Sequence, residues 1–485
     1  DELASQSNSA LYLSNRFQAN PSTQVFSASG AYVKTYDTSG DYAMTLYKEG
    51  SNSNTYVAKS ATFSGILSSL RSQSAGNYII EVRKGYTLLD DDVTAFNNAT
   101  GLTNKNVTVT MAAGAGWLAG GNLNSQSSSY RWSNIYPQFQ SLTWKNLSFR
   151  GDAFTGNDSY TFRGNGRPIT FQNCVFGNGT ASIEGGGTGA QGRDTNVTVK
   201  NCRGLDTIYS TLGTKVSANG TVTVISCTGA SKTLRIMPTP GMNSTNKYTG
   251  DVNVTVENCT ANISPIYRNY REIQGNYNLT VTDSNVQFMV PEVLSTKKAT
   301  VYLKGNVTLT GDCYGSNLSS SGTSEIHVYG KVKTKEDTLL GIYNFDSIYI
   351  EKDSSIASAD TPELRLGNIA TKQEARIGGK STSSGANRLA NVYLKDGGKF
   401  VLDWAASSYI YRQIQSLTTD TSDTELSVTY DYTEGTSSPT GRPLYIQSKL
   451  TANNALRIST GLRPTHAGTV AYPLVHFNDR NNAKL

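Results

Sequence analysis

One six-residue phrase recurs along this chain, and its spacing constrains the fold more than any other feature. It reads Leu142-Thr-Trp-Lys-Asn-Leu147, Ile169-Thr-Phe-Gln-Asn-Cys174, Val197-Thr-Val-Lys-Asn-Cys202, Val222-Thr-Val-Ile-Ser-Cys227, Val254-Thr-Val-Glu-Asn-Cys259 and Leu279-Thr-Val-Thr-Asp-Ser284. Successive copies end 27, 28, 25, 32 and 25 residues apart. A period in the twenties, with apolar residues alternating inside each copy, means that each copy is one strand of a coil. Coils of this kind stack to bury a face that no single copy could bury alone. Looser copies continue the series at Val301-Tyr-Leu-Lys-Gly305, Ile326-His-Val-Tyr-Gly330, Ile348-Tyr-Ile-Glu-Lys352 and Val392-Tyr-Leu-Lys-Asp396. The expected fold is all-β, a right-handed single-stranded parallel β-helix (β-solenoid).

Side chains in a strand change face at every residue, so the first and third apolar positions point inward and the Thr between them points out. Thr143, Thr170, Thr198, Thr223, Thr255 and Thr280 then form an outer row. The fifth position, Asn146, Asn173, Asn201, Ser226, Asn258 and Asp283, suits a bend where a short polar side chain bonds local backbone and its copy on the next coil. The sixth carries Cys174, Cys202, Cys227 and Cys259, read as an internal stack of buried, reduced thiols. Five cysteines without a Cys-x-x-Cys pair give neither a disulfide framework nor a zinc motif.

An open apolar end of a coil stack must be covered. Phe63, Ile66, Leu67 and Leu70 have helical spacing just before the strand Tyr78–Val82, which predicts a capping helix over residues 62–71. The expected organisation is a polar segment at 1–61, the β-helix at 62–425 and a β-rich C-terminal cap at 426–485. No apolar run approaches the roughly 20 residues that cross a bilayer, and the opening Asp1-Glu2-Leu3-Ala4 is not a signal peptide. The expectation is an extracellular segment without membrane insertion, its export signal or wall anchor lying elsewhere. Of the fourteen Asn-x-Ser/Thr sequons, Asn106, Asn196, Asn253 and Asn278 fall in alternating strand patterns, so structural work is expected of them before glycosylation.

At these phrases the chain resembles the pectate-lyase-like adhesive β-helix domains near the N-termini of large surface proteins of lactobacilli and related Gram-positive bacteria. The likeness rests on the helix-then-strand entry from Phe63 to Val82, the Val-Thr-Val-x-Asn-Cys coils, the coil at 392–398 and the closing Pro473-Leu-Val-His-Phe-Asn-Asp479, and covers roughly residues 60–485. It implies adhesion to host or matrix glycans by a monomeric domain of a larger cell-surface protein.

Lyases and hydrolases share this fold. Family lyases use an Arg near a calcium site of clustered acidic residues. The nearest acidic cluster here is Asp90-Asp91-Asp92, and the lyase phrases Trp-x-Asp-His and Arg-x-Pro-x-x-Arg are absent. Hydrolases need two or three carboxylates close together, and the outward positions that align supply Glu184 and little else. Gly187-Thr-Gly189-Ala-Gln-Gly192 matches a dinucleotide fingerprint without the helix that should follow it, and His327, His466 and His476 are scattered. No catalytic residue, metal or cofactor is expected. A lyase or hydrolase acting on uronic-acid polymers, and a purely structural stalk, stay open as alternatives.

The formal charge of +6 is uneven: residues 130–300 carry 16 Lys and Arg against 10 Asp and Glu. A second short strand follows each phrase: Thr161-Phe-Arg163, Ser182-Ile-Glu184, Thr207-Ile-Tyr209, Thr233-Leu-Arg235, Pro265-Ile-Tyr267 and Gln287-Phe-Met289. Its third residue faces out, which places Arg163, Glu184, Tyr209, Arg235, Tyr267 and Met289 on successive coils about 4.8 Å apart, extended by Arg268, Tyr270 and Arg271. Aromatic faces stack on sugar rings and guanidinium forks pair with carboxylate or sulfate. The predicted ligand-binding face is therefore Arg163, Tyr209, Arg235, Tyr267, Arg268, Tyr270 and Arg271, for an acidic polysaccharide such as a glycosaminoglycan or pectin-like chain. No nucleic-acid-binding motif accompanies the basic excess, so nucleic acid is not an expected partner.

Overall fold

The computed structural model describes residues 42–484 apart from 51–53, 122–129, 152–158, 178, 187–192, 210–218, 238–249, 265–271, 317–320, 338, 356–360, 372, 381–386, 404–411, 421–422, 430–443, 454–455, 461–474 and 478–482, together with strands Val25–Phe26 and Tyr32–Lys34. The chain divides into two compact units, Asp1–Gly213 with Ser226–Leu234, and Thr214–Ile225 with Arg235–Leu485. Each is a stack of parallel β coils.

In the first unit the phrases lie in the register their sequence predicts. Ile169 pairs with Leu142 and Val197, Thr170 with Thr143 and Thr198, and Phe171 with Trp144 and Val199. The sheet runs back through Lys105–Met111 to Gly76–Val82, all parallel. Two antiparallel strands then cover its edge: Met44–Lys48 pairs with Gly76–Val82 and with Thr55–Ser60. These strands were not placed by sequence, because two short antiparallel segments carry no coil phrase.

The capping helix is present as α1 (Phe63–Arg71), with Phe63, Ile66, Leu67 and Leu70 buried. Thr62 caps it by accepting from the Gly65 amide at 3.1 Å. A second helix, α2 (Asp90–Asn97), was not expected. The acidic run is its first turn, where negative charge favours the positive end of the helix dipole. Asp92 is fully buried and accepts from the amides of Ser64 (2.7 Å) and Leu89 (2.8 Å) and from the Tyr86 hydroxyl (2.7 Å). It thereby satisfies amides at the start of both helices. Asp90 pairs with Arg131 at 2.8 Å.

Below the cap an aromatic core fills the coils. Trp132 and Trp144 are 1% and 2% exposed, with Trp132 4.9 Å from Phe162 and Phe149 4.7 Å from Phe162 between ring centroids. Edge-to-face and tilted contacts of this kind add about 0.5–1.5 kcal/mol each beyond the area buried. Both tryptophans are packing residues.

In the second unit one sheet runs through Gly220–Ile225, Val252–Glu257, Tyr277–Thr282, Lys298–Lys304, Thr323–Val328, Ser347–Ile350, Asn391–Leu394, Gln413–Thr419 and Leu444–Ala452, each parallel to the next. A second runs from Thr260–Ile263 to Glu425–Val428 and Arg457–Thr460. A third, short sheet joins Cys313–Tyr314, Gly341–Tyr343 and Arg376–Gly378. Parallel pairing thus continues past residue 426, where the sequence phrase fades.

The fifth position of the phrase is a left-handed bend in both units. Asn146, Asn173, Asn201 and Ser226 have φ of 56, 54, 52 and 53°, and Asn258 and Asp283 have 50 and 46°. Asn and Asp tolerate this region where most L-residues pay about 1–2 kcal/mol. The side chains also bond along the stack: Nδ2 of Asn173 donates to Oδ1 of Asn146 at 2.9 Å, and Nδ2 of Asn201 to Oδ1 of Asn173 at 3.2 Å. Within strands, Asn106 donates to Asn77 and Asn278 to Asn253, both at 3.0 Å, so these sequon amides do the structural work expected of them.

All five cysteines are free and buried. In the first unit the amide of Cys174 points at the sulfur of Cys202, and that of Cys202 at the sulfur of Cys227, both at 3.4 Å. Burial pushes the Cys313 thiol up to about 12. These are packing thiols.

Candidate functional site

The second alignment holds in the first unit. Arg163 pairs in register with Glu184, and Glu184 with Tyr209. Phe162, Ile183 and Ile208 are buried beneath them; Arg163 and Tyr209 are half-buried, whereas Glu184, expected to face solvent, is itself buried. The row is not a set of free cations, however. Nε of Arg163 lies 2.9 Å from Oε2 of Glu184, with side-chain exposures of 20% and 9%, and its guanidinium sits 5.1 Å from the Tyr136 ring. Burial raises the Glu184 carboxyl above the ordinary range, while Arg163 pulls the other way. One cation of the predicted face is thus held by the one acid in the row.

Arg235, in the second unit, is the exposed second residue of strand Leu234–Met237. Tyr209 is half-buried at the end of Arg203–Tyr209. Tyr267, Arg268, Tyr270 and Arg271 lie outside the described residues, as do the Gly187–Gly192 loop and His466. Among the described residues, no group of three or more His, Cys, Asp and Glu side chains is placed to hold a metal ion.

Sequence reasoning missed a second outward row, in the second unit. Thr280 pairs with Tyr302, Tyr302 with His327, His327 with Tyr349, and Tyr349 with Tyr393. The rings stack: Tyr302 to His327 at 5.3 Å, His327 to Tyr349 at 4.6 Å and 11°, and Tyr349 to Tyr393 at 4.7 Å and 8°. The centroid separations match the strand spacing, so each ring lies over its neighbour on the next coil. Charges flank the row in pairs: Lys298 with Glu325 at 2.8 Å, Lys304 with Asp353 at 3.0 Å and Lys395 with Glu351 at 3.5 Å. The signal was present in the second residue of Val301-Tyr, Ile326-His, Ile348-Tyr and Val392-Tyr, the same position as the Thr row. Interior ring faces are covered by one another, leaving edges and hydroxyls for solvent.

No protein family, curated protein or solved structure matches the chain. No helix among the described residues is long and apolar enough to cross a membrane. The functional reading therefore rests on the coils themselves.

Proposed function

We propose that this chain is a non-catalytic adhesive domain of an exported bacterial surface protein, and that it holds an anionic polysaccharide along its coils. The observation that carries this reading is the register of the outward strand positions. Arg163, Glu184 and Tyr209 recur one per coil in the first unit, a linear array of charged and aromatic groups suited to a linear charged polymer. Arg235 is an exposed residue of the short strand Leu234–Met237. The likeness of the coil phrases to adhesive β-helix domains of Gram-positive surface proteins points the same way.

Three placements favour binding over catalysis. Asp92 of the acidic run is used in capping α2 and tying it to α1, Asp90 pairs with Arg131, and Glu184 is engaged by Arg163. A glycan array read at pH 4 and pH 7, followed by a product assay on each hit, separates the readings. An adhesin holds heparin-like or polygalacturonate chains reversibly and leaves them intact, a lyase or hydrolase releases unsaturated uronates or new reducing ends, and a stalk does neither. If Arg163→Ala leaves affinity unchanged, the row of the first unit is not a binding face; if Arg235→Ala does, neither is the strand Leu234–Met237.

A further inference from the structure

Four buried polar side-chain atoms without a hydrogen-bond partner lie on one turn and at the start of strand Thr195–Lys200 in the first unit: Nη1 of Arg163, Oδ1 of Asn165, Nε of Arg167 and Oγ1 of Thr195. Three of them sit on a single turn. The Arg167 amide closes that turn on the Gly164 carbonyl at 3.1 Å, and the amides of Asn165 and Gly166 bond the next coil at Gly186 (3.2 Å) and Gly185 (3.0 Å). Asn165 is left-handed with φ 54°. Backbone bonds therefore hold the turn in shape. Ile169 pairs with Val197, and extending that register sets Thr195 opposite Arg167.

The charge here is unbalanced as well. Arg163 spans Glu184 and the Tyr136 ring, while Nδ2 of Asn165 reaches the Pro137 carbonyl at 3.5 Å, so both side chains lean over one segment of the preceding coil. Among the described residues Nε of Arg167 has no hydrogen-bond acceptor. Burial, and then the neighbouring charge of Arg193, push its pKa down. An arginine does not give up its proton under such conditions, so the half-buried guanidinium keeps its charge and its buried Nε–H stays without an acceptor. Asp194, next to Arg193, has a partner of its own. Buried N–H donors left unmade cost about 1–3 kcal/mol each, more on charged groups. A water can accept one such bond but does not offset the charge.

The geometry points to an oxyanion-binding site on the turn Arg163–Arg167 with Arg193, taking the carboxylate or sulfate of a hydroxylated ligand. The anion accepts from Nη1 of Arg163 and Nε of Arg167, and a neighbouring hydroxyl donates to Oδ1 of Asn165. Arg193, exposed two residues before the next coil's strand Thr195–Lys200, adds long-range attraction. The inference goes beyond the adhesive reading: a small anion fills the site whether or not a polymer is held.

Calorimetric titration of the whole chain with sodium sulfate, and separately with sodium glucuronate, at ionic strength held constant with chloride, tests it. Saturable binding is expected, with Arg167→Gln weakening it about tenfold or more, as loss of a charged donor does. Arg193→Gln should weaken it less, and Lys232→Gln should leave it unchanged. Tighter sulfate identifies a sulfated source for the group and tighter glucuronate a carboxylated one. If Arg167→Gln does not fold, Arg167→Lys, which keeps the charge but loses the fork, carries the same expectation. Absence of saturable binding, or affinity equal in wild type and the Arg167 and Arg193 variants, overturns the site. Polymer binding with no small-anion binding removes this site and leaves the adhesive reading standing.

Discussion

Nδ1 of His327 lies 2.9 Å from Oε1 of Glu351, a contact between residues of neighbouring coils, while the imidazole ring stacks 4.6 Å from Tyr349. Glu325 approaches the other ring nitrogen at 3.6 Å. A histidine thus serves as one layer of an aromatic stack and is bracketed by carboxylates.

The hydrogen bond from His327, followed by the Lys395 charge, holds the Glu351 carboxyl below its ordinary value against the opposing effect of burial. A carboxyl depressed in the folded state contributes stability that is present above its unfolded pKa, about 4.3 for glutamate, and is lost as pH falls through the folded value. Asp353, held down to about 2 by Ser355 and Lys304, acts with the same sign. Glu351→Gln should therefore lower the melting temperature at pH 7, by the equivalent of about 1 kcal/mol, and the two melting curves should converge toward pH 3. A deficit of equal size at both pH values would show that packing, and not charge, is what the substitution removes.

The bend of the coil phrase makes a separate prediction. Asn173 combines φ 54° with side-chain bonds to Asn146 and Asn201. Asn173→Gly keeps the backbone conformation and loses only the ladder, whereas Asn173→Val also places a β-branched residue where it is strained by about 1–2 kcal/mol. The order of melting temperatures should be wild type, then Asn173→Gly, then Asn173→Val. A valine variant as stable as the glycine variant would mean that the ladder, not the left-handed bend, sets the cost.

Register was legible because the phrase repeats where the chain must repeat. Inward Val and Ile, outward Thr and left-handed Asn are each decided by the strand's own period, and Ile169 duly pairs with Leu142 and Val197. The same period placed Arg163, Glu184 and Tyr209 in one row. What could not be read was which charges neutralise one another. Arg163 meets Glu184 from 21 residues away and Lys304 meets Asp353 from 49, separations set by loop lengths that follow no pattern. Helix α2 was not read from the sequence because it is short and its apolar face, Val93 and Phe96, is sparse. The row from Tyr302 to Tyr393 was overlooked because its copies of the phrase had already drifted, although the outward position never moved.

The pair Arg163–Glu184 makes the adhesive reading sensitive to acid. Glu184 is 7% exposed, and because burial raises its carboxyl, with Arg163 opposing, it takes up a proton earlier during acidification than an ordinary glutamate does. The Arg163 guanidinium then loses its partner and becomes available to an anion on the ligand. A heparin-like polymer keeps its sulfate charge through this range, so its affinity should rise as pH falls from 7 to 4, and added salt should weaken it at every pH. Glu184→Gln should reproduce the acid state at pH 7, strengthening binding roughly fivefold, which corresponds to ~1 kcal/mol for a partly exposed ion pair. It should also flatten the pH profile. The measurement is the dissociation constant for the sulfated polymer at pH 4, 5.5 and 7, wild type against variant. An unchanged pH profile in Glu184→Gln would assign the acid response to carboxylates elsewhere on the coils.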